Sequence, residues 1–324
     1  MKLAICLDAG DIRGMGHCYR QLRLARCLQS KGYSIDFFLP DYAPAIELLH
    51  EAGFVSRPCE PNDILPTANT RYDAAIVDLL DTKPEYIRQL KQRARKIVVF
   101  EDLGDGRNHA DLLIDANLSE QSSAPVPSSV QTLFGLKHLV LAPEFASPLA
   151  PPASDNEGKY LIAIGGVDHQ NLTQTFVEIL QTVASKPGGT VIVGPGYAHL
   201  EKLSRICSKG KYRLLNKVSN MADIMRQHAI TFCAGGITMH EAMAAGSVPF
   251  VTSVAPHQIL KAQHAETTQT GIFLGTVEQI NAPLVASALQ NNQERIEAMR
   301  ERGRRMVDGR GMERVVSAIQ KLLS

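Results

Sequence analysis

Several patterns that mark common protein classes are missing from this 324-residue sequence. No stretch approaches the roughly 20 apolar residues that cross a bilayer, and the apolar start reaches Asp8 too soon for a signal peptide. The six cysteines include no C-x-x-C pair, which argues against a zinc or disulfide framework. The net charge of +1 gives no electrostatic footprint for nucleic acid. These absences predict a cytoplasmic protein without nucleic-acid partners and leave peripheral contact with a membrane surface open.

The length and the order of the sequence patterns predict two domains. The chain is long enough for two domains of the usual size, and 44% hydrophobic residues can fill two cores. Short β-rich runs alternate with helical periodicity up to a Pro-rich stretch at 147–154, and the alternation restarts after it. We therefore expect domains at 1–148 and 149–324, each a Rossmann-like, doubly wound parallel sheet covered by helices. The two domains should face each other across a cleft, and the last helix could pack back onto the first.

The predicted elements follow one another as strand, then helix, in both halves. Strands are predicted at 2–7, 34–39, 74–77, 96–100, 160–164, 190–193, 213–215, 230–233 and 248–251. Helices are predicted at 18–28, 44–51, 84–93, 172–184, 221–227, 239–245, 259–268, 293–306 and 312–323. Open sheets of this kind bind ligands beyond the carboxyl ends of their strands, so the loops there are the places to look for chemistry.

The turn after the first predicted strand carries Gly14, Gly16 and His17. The glycines let the backbone turn tightly and approach a ligand, and His17 falls at a helix N-terminus. Imidazole changes its charge near neutral pH, which suits a general base acting on a hydroxyl group. A turn with a helix-capping histidine is the alternative. Tyr19 stands where the dinucleotide fingerprint has its third glycine, so a dinucleotide site is not predicted.

The segment after the strand at 230–233 predicts a diphosphate site. Gly235 and Gly236 precede a helix, so the amides of Gly236, Ile237 and Thr238 can receive a diphosphate with help from the helix dipole. Glu241 follows Thr238 by three residues. This spacing fits a capping box, in which Glu241 bonds back to the Thr238 amide, or a carboxylate that accepts both ribose hydroxyls of a nucleotide.

Loops after neighbouring strands of the second half supply further candidate binding residues. Gly165, Gly166 and Asp168 precede a helix at the same edge of the predicted sheet. Gly194 should line the floor of the cleft. Val218 follows a strand end where backbone groups could read a base edge. Ordinary loop structure is the alternative for Gly194 and Val218.

His257 and Gln258, after the strand at 248–251, add polar groups near the predicted diphosphate. A helix N-cap is the alternative for this pair. The chain contains no D-x-D sequence, the paired carboxylates that commonly carry a diphosphate on a divalent metal. We therefore expect no metal and no cofactor, with amides and helix dipoles neutralising the phosphates.

Together these segments resemble the SpsG/PseG family over nearly the whole chain. The resemblance rests on 8–10, on 14–17 with Arg20, on 165–168, on 234–241 and on 308–315. The family comprises spore-coat and surface-polysaccharide biosynthesis proteins that are predicted glycosyltransferases, together with the UDP-sugar hydrolase of pseudaminic acid synthesis. The resemblance implies the GT-B architecture shared with MurG, a UDP-type donor bound mainly by the C-terminal domain, and no metal requirement.

The resemblance also implies roles for single residues. His17 matches the catalytic histidine of the family. Gly235, Gly236 and Thr238 match its diphosphate loop, and Glu241 matches its ribose-binding acid, which favours the carboxylate interpretation over the capping box.

Two departures from the hydrolase branch favour transfer of the sugar over its hydrolysis. Leu79-Leu80 stand where the hydrolase has Ser-Tyr, and Phe100-Glu101-Asp102 resemble the spore-coat branch. The leading hypothesis is an inverting glycosyltransferase that uses a UDP-sugar and a glycan or small-molecule acceptor. The first alternative is hydrolysis of a UDP-2,4-diacetamido-2,4,6-trideoxy sugar, with His17 activating water. The second is a non-catalytic nucleotide-sugar binding subunit.

Overall fold

The chain divides into two compact units in a computed structural model. Unit 1 comprises Met1–Ala142 with Arg310–Ser324, and unit 2 comprises Pro143–Gly309. The predicted linker at 147–154 and the predicted boundary at 148/149 lie outside the described residues. The structure describes residues 1–10, 14–66, 70–117, 125–146, 160–166, 168–184, 188–194, 196–216 and 218–324, with the side chains of His257 and Gln293 left out.

Unit 1 is built on a parallel sheet of seven strands. The strands are β1 (Lys2–Leu7), β2 (Ser34–Leu39), β3 (Val55–Pro58), β4 (Tyr72–Asp78), β5 (Ala94–Phe100), β6 (Leu112–Asp115) and β7 (Gln131–Phe134). Three of its helices are α1 (Gly16–Ser30), α2 (Ala43–Glu51) and α3 (Pro84–Lys91). The order β3-β2-β1-β4-β5-β6-β7 reverses between β1 and β4. A reversal of this kind is where doubly wound sheets open to ligands.

Unit 2 is built on a parallel sheet of six strands. The strands are β8 (Tyr160–Ile162), β9 (Gly189–Val193), β10 (Tyr212–Asn216), β11 (Ile230–Ala234), β12 (Val248–Ser253) and β13 (Ile272–Thr276). Its helices are α4 (Leu172–Val183), α5 (Leu200–Lys209), α6 (Met221–Arg226), α7 (Ile237–Ala245), α8 (Pro256–Thr267), α9 (Ala282–Asn292) and α10 (Ile296–Met306). The order β10-β9-β8-β11-β12-β13 reverses between β8 and β11.

The last helix, α11 (Gly311–Leu323), packs in the core of unit 1. Val315 and Ile319 are fully buried in the same apolar cluster as Leu24 of α1 and Ile76 of β4. The helix begins at a glycine because a Cβ at Gly311 would lie 2.1 Å from the carbonyl oxygen of Leu139. The chain therefore returns to its first sheet after completing the second.

The predicted fold class, two α/β units with parallel sheets, is confirmed. Sequence periodicity missed β3, β6 and β7 because strands of four residues are too short to show a period. It also missed α5, β13 and α9. The helix predicted at 293–306 begins as the 3₁₀ turn Gln293–Arg295, and α10 starts at Ile296.

Candidate functional site

The turn predicted after β1 leads directly into α1. Gly14 has a positive φ of 71°, and its N–H donates to the carbonyl of Gly10 at 2.7 Å. Glycine tolerates this left-handed backbone without steric cost. Gly16 begins α1, and His17 lies in its first turn, with its side chain 22% exposed. The predicted strand, glycine turn and helix-borne histidine are therefore present.

His17 contacts a carboxylate that comes from the neighbouring strand. Asp78 ends β4 and pairs in register with Leu7 of β1, which brings it beside the start of α1. His17 Nδ1 lies 2.6 Å from Asp78 Oδ1. Because the ionised carboxylate can only accept, this contact assigns the ring proton to Nδ1 and leaves Nε2 as the basic nitrogen. The pair has the geometry of an oriented general base.

Asp78 is fully buried and is held by three further donors besides His17. Arg20 Nε donates to Oδ2 at 2.9 Å, Arg20 Nη2 donates to Oδ1 at 2.7 Å, and Gln21 Nε2 donates to Oδ2 at 2.7 Å. Burial alone raises the pKa of a carboxyl group, but the Arg20 guanidinium and the His17 ring outweigh it, so the pKa of Asp78 lies well below its usual value. Asp78 therefore stays ionised and can balance a positive charge on His17.

The sequence patterns did not predict Asp78, or its partners Arg20 and Gln21, as site residues. Arg20 was noted only as part of the family resemblance, and Asp78 directly follows the strand that was predicted at 74–77. The usable signal was that Asp78 is a polar residue at the end of a buried apolar strand. That strand lies beside the strand that leads into the His17 turn. Nothing in the sequence indicates that Gln21, in the middle of a helical pattern, points to that same carboxylate.

The start of α7 presents backbone amides without intrahelical partners, and its N-cap residue has no side chain to cap them. The N-cap is Gly236, and the helix begins at Ile237. Thr238 is thus inside the helix, so the capping-box interpretation of Thr238 and Glu241 is wrong. Glu241 lies one turn deeper and is 4% exposed. The arrangement suits an anion, because free N–H groups and the positive end of the helix dipole coincide there.

Gln258 joins this loop to the loop after β12. Its Oε1 accepts from the main-chain N–H groups of Gly235 at 3.2 Å and Val254 at 3.1 Å. A Cβ at Gly235 would lie 2.9 Å from the Cβ of Gln258, so the close approach requires glycine. The amide oxygen of Gln258 is therefore occupied by backbone, whereas direct contact of this residue with a ligand stays a prediction.

The N-cap alternative for the 256–258 segment is wrong. The N-cap of α8 is Ala255, and Pro256 is the first helical residue. His257 follows in the first turn of α8, at the same edge of the sheet as the α7 start.

The loops after β8 and β9 lie against each other. A Cβ at Gly194 would come within 2.1 Å of the carbonyl oxygen of Gly166, and Gly165 has a positive φ of 139°. Asp168 is 8% exposed, and its carboxylate accepts from the N–H groups of Leu172 at 2.9 Å and of the following residue at 2.8 Å. Asp168 thus stabilises the start of α4.

Val218 is separated from the other candidates by the strand order. It follows β10, the edge strand of the unit 2 sheet, and β9 and β8 lie between β10 and β11. The structure therefore brings together the loops after β8 and β9 and those after β11 and β12, and leaves Val218 at one end.

Within the described ranges, no three His, Cys, Asp or Glu side chains cluster closely enough to hold a metal ion. None of the helices in those ranges combines the length and hydropathy that crossing a bilayer requires. Metal independence stays a prediction.

Comparison with known sequences gives two relatives, and no protein-family model matches the chain. The spore coat polysaccharide biosynthesis protein SpsG of Bacillus subtilis is 24% identical over 99% of this chain and 98% of its own length. The similarity to SpsG thus extends over nearly the whole of both chains. The uncharacterized protein MJ1062 of Methanocaldococcus jannaschii is 28% identical over 78% of this chain. The chain spans about half, 55%, of the length of this archaeal relative.

Solved structures that resemble this chain show its fold. MurG of Acinetobacter baumannii has a TM-score of 0.68 at 15% identity, with 99% of this chain and 100% of MurG covered. The spinosyn rhamnosyltransferase SpnG complexed with thymidine diphosphate has a TM-score of 0.67 at 12% identity, and all of both chains is covered. The fold is of the GT-B type, as the resemblance implied. The resemblance to SpsG is likewise confirmed.

Proposed function

We propose that this protein is a glycosyltransferase that moves a sugar from a nucleotide diphosphate to an acceptor hydroxyl group. The observation that carries the proposal is the 2.6 Å contact between His17 Nδ1 and Asp78, which orients a general base at the carboxyl edge of the unit 1 sheet. Similarity to SpsG over the full length supports a role in the biosynthesis of a surface or spore-coat polysaccharide. The shared fold with MurG and SpnG is compatible with this chemistry.

The donor in this proposal is a UDP-sugar bound by unit 2 without a metal. The amides of Gly236, Ile237 and Thr238 hold the diphosphate, and the Thr238 hydroxyl adds a hydrogen bond. Glu241 accepts the ribose hydroxyls. Gln258 keeps Gly235 close to the start of α8, which holds the shape of the loop.

The proposed reaction is a single displacement with inversion. His17 Nε2 takes the proton of the acceptor hydroxyl as its oxygen attacks C1 of the sugar. The bond from C1 to the diphosphate oxygen breaks, and the diphosphate leaves with the electron pair onto the α7 amides. Asp78 stabilises the imidazolium that forms, because its buried carboxylate is already ionised.

The first test separates the base from the donor site. His17→Ala should lower turnover by about 100-fold or more while UDP binding survives, since general bases contribute about 10²–10⁴-fold. Glu241→Ala should weaken binding of the UDP-sugar. His50→Ala, at an exposed histidine of α2, serves as the matched control. Full turnover by His17→Ala would sink the assignment.

The second test fixes the donor and separates transfer from hydrolysis. A thermal-shift screen with UDP-, dTDP-, CMP- and GDP-sugars identifies the donor, because a ligand that binds the folded state raises its stability. The donor is then incubated without an acceptor. Fast release of UDP and free sugar would show that the protein is a hydrolase and not a transferase. Binding of the donor without turnover, whichever acceptor is added, would favour a non-catalytic subunit. Leu80 stands where the hydrolase has its tyrosine and offers no hydroxyl group there for a hydrolytic site.

A further inference from the structure

Glu101 forms a partly buried ion pair that the proposed reaction does not use. It follows β5, and its Oε1 lies 2.6 Å from Arg20 Nη1, with the Glu101 side chain 17% exposed. The other two nitrogens of the same guanidinium bind Asp78. Arg20 therefore bridges two carboxylates, and the ring of Phe100 lies 5.7 Å below its central carbon.

The charge balance of this cluster depends on Glu101. Asp78 and Glu101 carry two negative charges against the single positive charge of Arg20, so one negative charge remains to balance a protonated His17. Without Glu101, Arg20 cancels Asp78 and the imidazolium loses that net attraction. Asp8, after β1, adjoins the cluster through its N–H, which donates to the Asp78 carbonyl at 3.4 Å.

Glu101 occupies an unusual backbone conformation. Its φ is +47°, in the left-handed region that non-glycine residues rarely enter. Its N–H donates to the carbonyl of Ile114 at 2.8 Å. Such a conformation persists where neighbouring structure holds it.

The neighbouring residue supplies that hold. Asp102 Oδ1 accepts from the N–H of Thr82 at 3.0 Å and of Gly104 at 2.9 Å, and Oδ2 accepts from the Thr82 hydroxyl. Both side chains are buried, at 0% and 1% exposure. This contact, the Thr82–Asp102 clasp, joins the loop after Glu101 to the loop after Asp78. A Cβ at Gly106 would lie 2.2 Å from the Thr82 hydroxyl, so the loop packs closely around the clasp.

We propose that Glu101 is a second carboxylate that stabilises protonated His17 through Arg20, and that the Thr82–Asp102 clasp holds Glu101 in place. These are positioning residues, because neither Glu101 nor the clasp touches the reacting atoms. The role rests on His17 acting as the base in the proposed function. The charge coupling itself is measurable without any substrate.

The test follows the titration of the His17 ring by NMR in the full chain. Glu101→Gln removes one charge and keeps the shape, so the midpoint should move to lower pH. The matched control is Glu85→Gln, which removes the same charge from an exposed position on α3 and should leave the midpoint unchanged.

The clasp is tested by changes that leave every charge in place. Thr82→Val removes the hydroxyl and should move the midpoint in the same direction as Glu101→Gln, whereas Thr82→Ser restores it. Loss of packing alone lowers the unfolding temperature without moving the midpoint. If Glu101→Gln leaves the midpoint unchanged, the coupling between Glu101 and His17 is refuted. If Thr82→Val moves the midpoint no further than Thr82→Ser, the proposed role of the Thr82–Asp102 clasp is refuted. If the midpoint moves as expected but the protein has no transferase activity, the proposed function is refuted and the coupling between Glu101 and His17 still holds.

Discussion

The two units make the carboxyl edges of their sheets polar by opposite means. In unit 1 the polarity comes from charged side chains that are buried and bonded to one another, with Arg20 between Asp78 and Glu101. In unit 2 the polarity comes from the backbone. The N-cap of α7 is a glycine, which makes no side-chain cap hydrogen bond, and Gln258 accepts from main-chain N–H groups.

The difference matches two kinds of chemistry. A proton can be moved only by a titratable group held in a defined orientation, which needs fixed partners such as Asp78 for His17. A phosphate is bound well by amides that are already oriented, which requires close approach of backbone and therefore glycine. Substitutions in unit 1 should then act mainly through charge, and those in unit 2 mainly through shape.

The largest expected effect is that of Asp78→Asn. The substitution leaves the buried Arg20 without the carboxylate that takes two of its nitrogens, so the free energy of unfolding should fall by about 3–5 kcal/mol. Turnover should fall by at least about 100-fold, because His17 loses its orienting partner. Urea unfolding and steady-state kinetics measure the two effects. Asp41→Asn, an exposed acid of the same unit, is the control, and an equal response of both variants would contradict the charge-based view of unit 1.

The same carboxylate predicts a dependence of stability on pH. The pKa of Asp78 is lower in the folded chain than the unfolded value of about 3.9, so its contribution is present above that pH. The contribution is lost as the pH falls below about 4 toward the folded pKa. The gap in unfolding free energy between wild type and Asp78→Asn should therefore shrink as the pH falls below about 4. A gap that stays the same between about pH 4 and about pH 2 would show that the pKa of Asp78 is not lowered by folding.

Gly235 and Gly236 are adjacent and allow a matched test of shape in unit 2. A methyl group on Gly235 would meet Gln258, whereas no described atom lies within 4 Å of the Cβ position of Gly236. Gly235→Ala should lower the free energy of unfolding by about 1–3 kcal/mol and Gly236→Ala by less. Calorimetric unfolding compares them. Equal loss in the two variants would mean that the contact with Gln258 does not shape the loop.

The contrast between the units also explains what the sequence could predict. A glycine turn between a strand and a helix is a local feature, so Gly14, Gly236 and His17 could be located from spacing, although the helix starts were predicted two residues late. The partners of His17 are not local: Asp78 lies 61 residues away. Only the strand order, which places β4 beside β1, brings the two together. Because the pairing of these two strands is not evident from the sequence, nothing distinguished Asp78 from an ordinary residue at a strand end.

The two capping alternatives in unit 2 fail for a related reason. Both were placed by spacing, but the first residue of a helix depends on where the preceding strand ends in the sheet. β11 runs to Ala234, which leaves Gly235 and Gly236 as the turn and moves the start of α7 to Ile237. Thr238 is then too far into the helix to cap it.

The smallest effect should come from Asp168, the buried acid that unit 2 places at a helix start. Asp168→Ala removes the acceptor for two N–H groups of α4 and should lower the free energy of unfolding by about 1 kcal/mol, whereas Asp168→Asn retains an acceptor and should lose less. If Asp168 serves the fold alone, donor affinity, measured by calorimetric titration with the UDP-sugar, stays the same in both variants. A large loss of affinity in Asp168→Asn with little loss of stability would instead place a charged side chain at the donor site, and the contrast between the units would no longer hold.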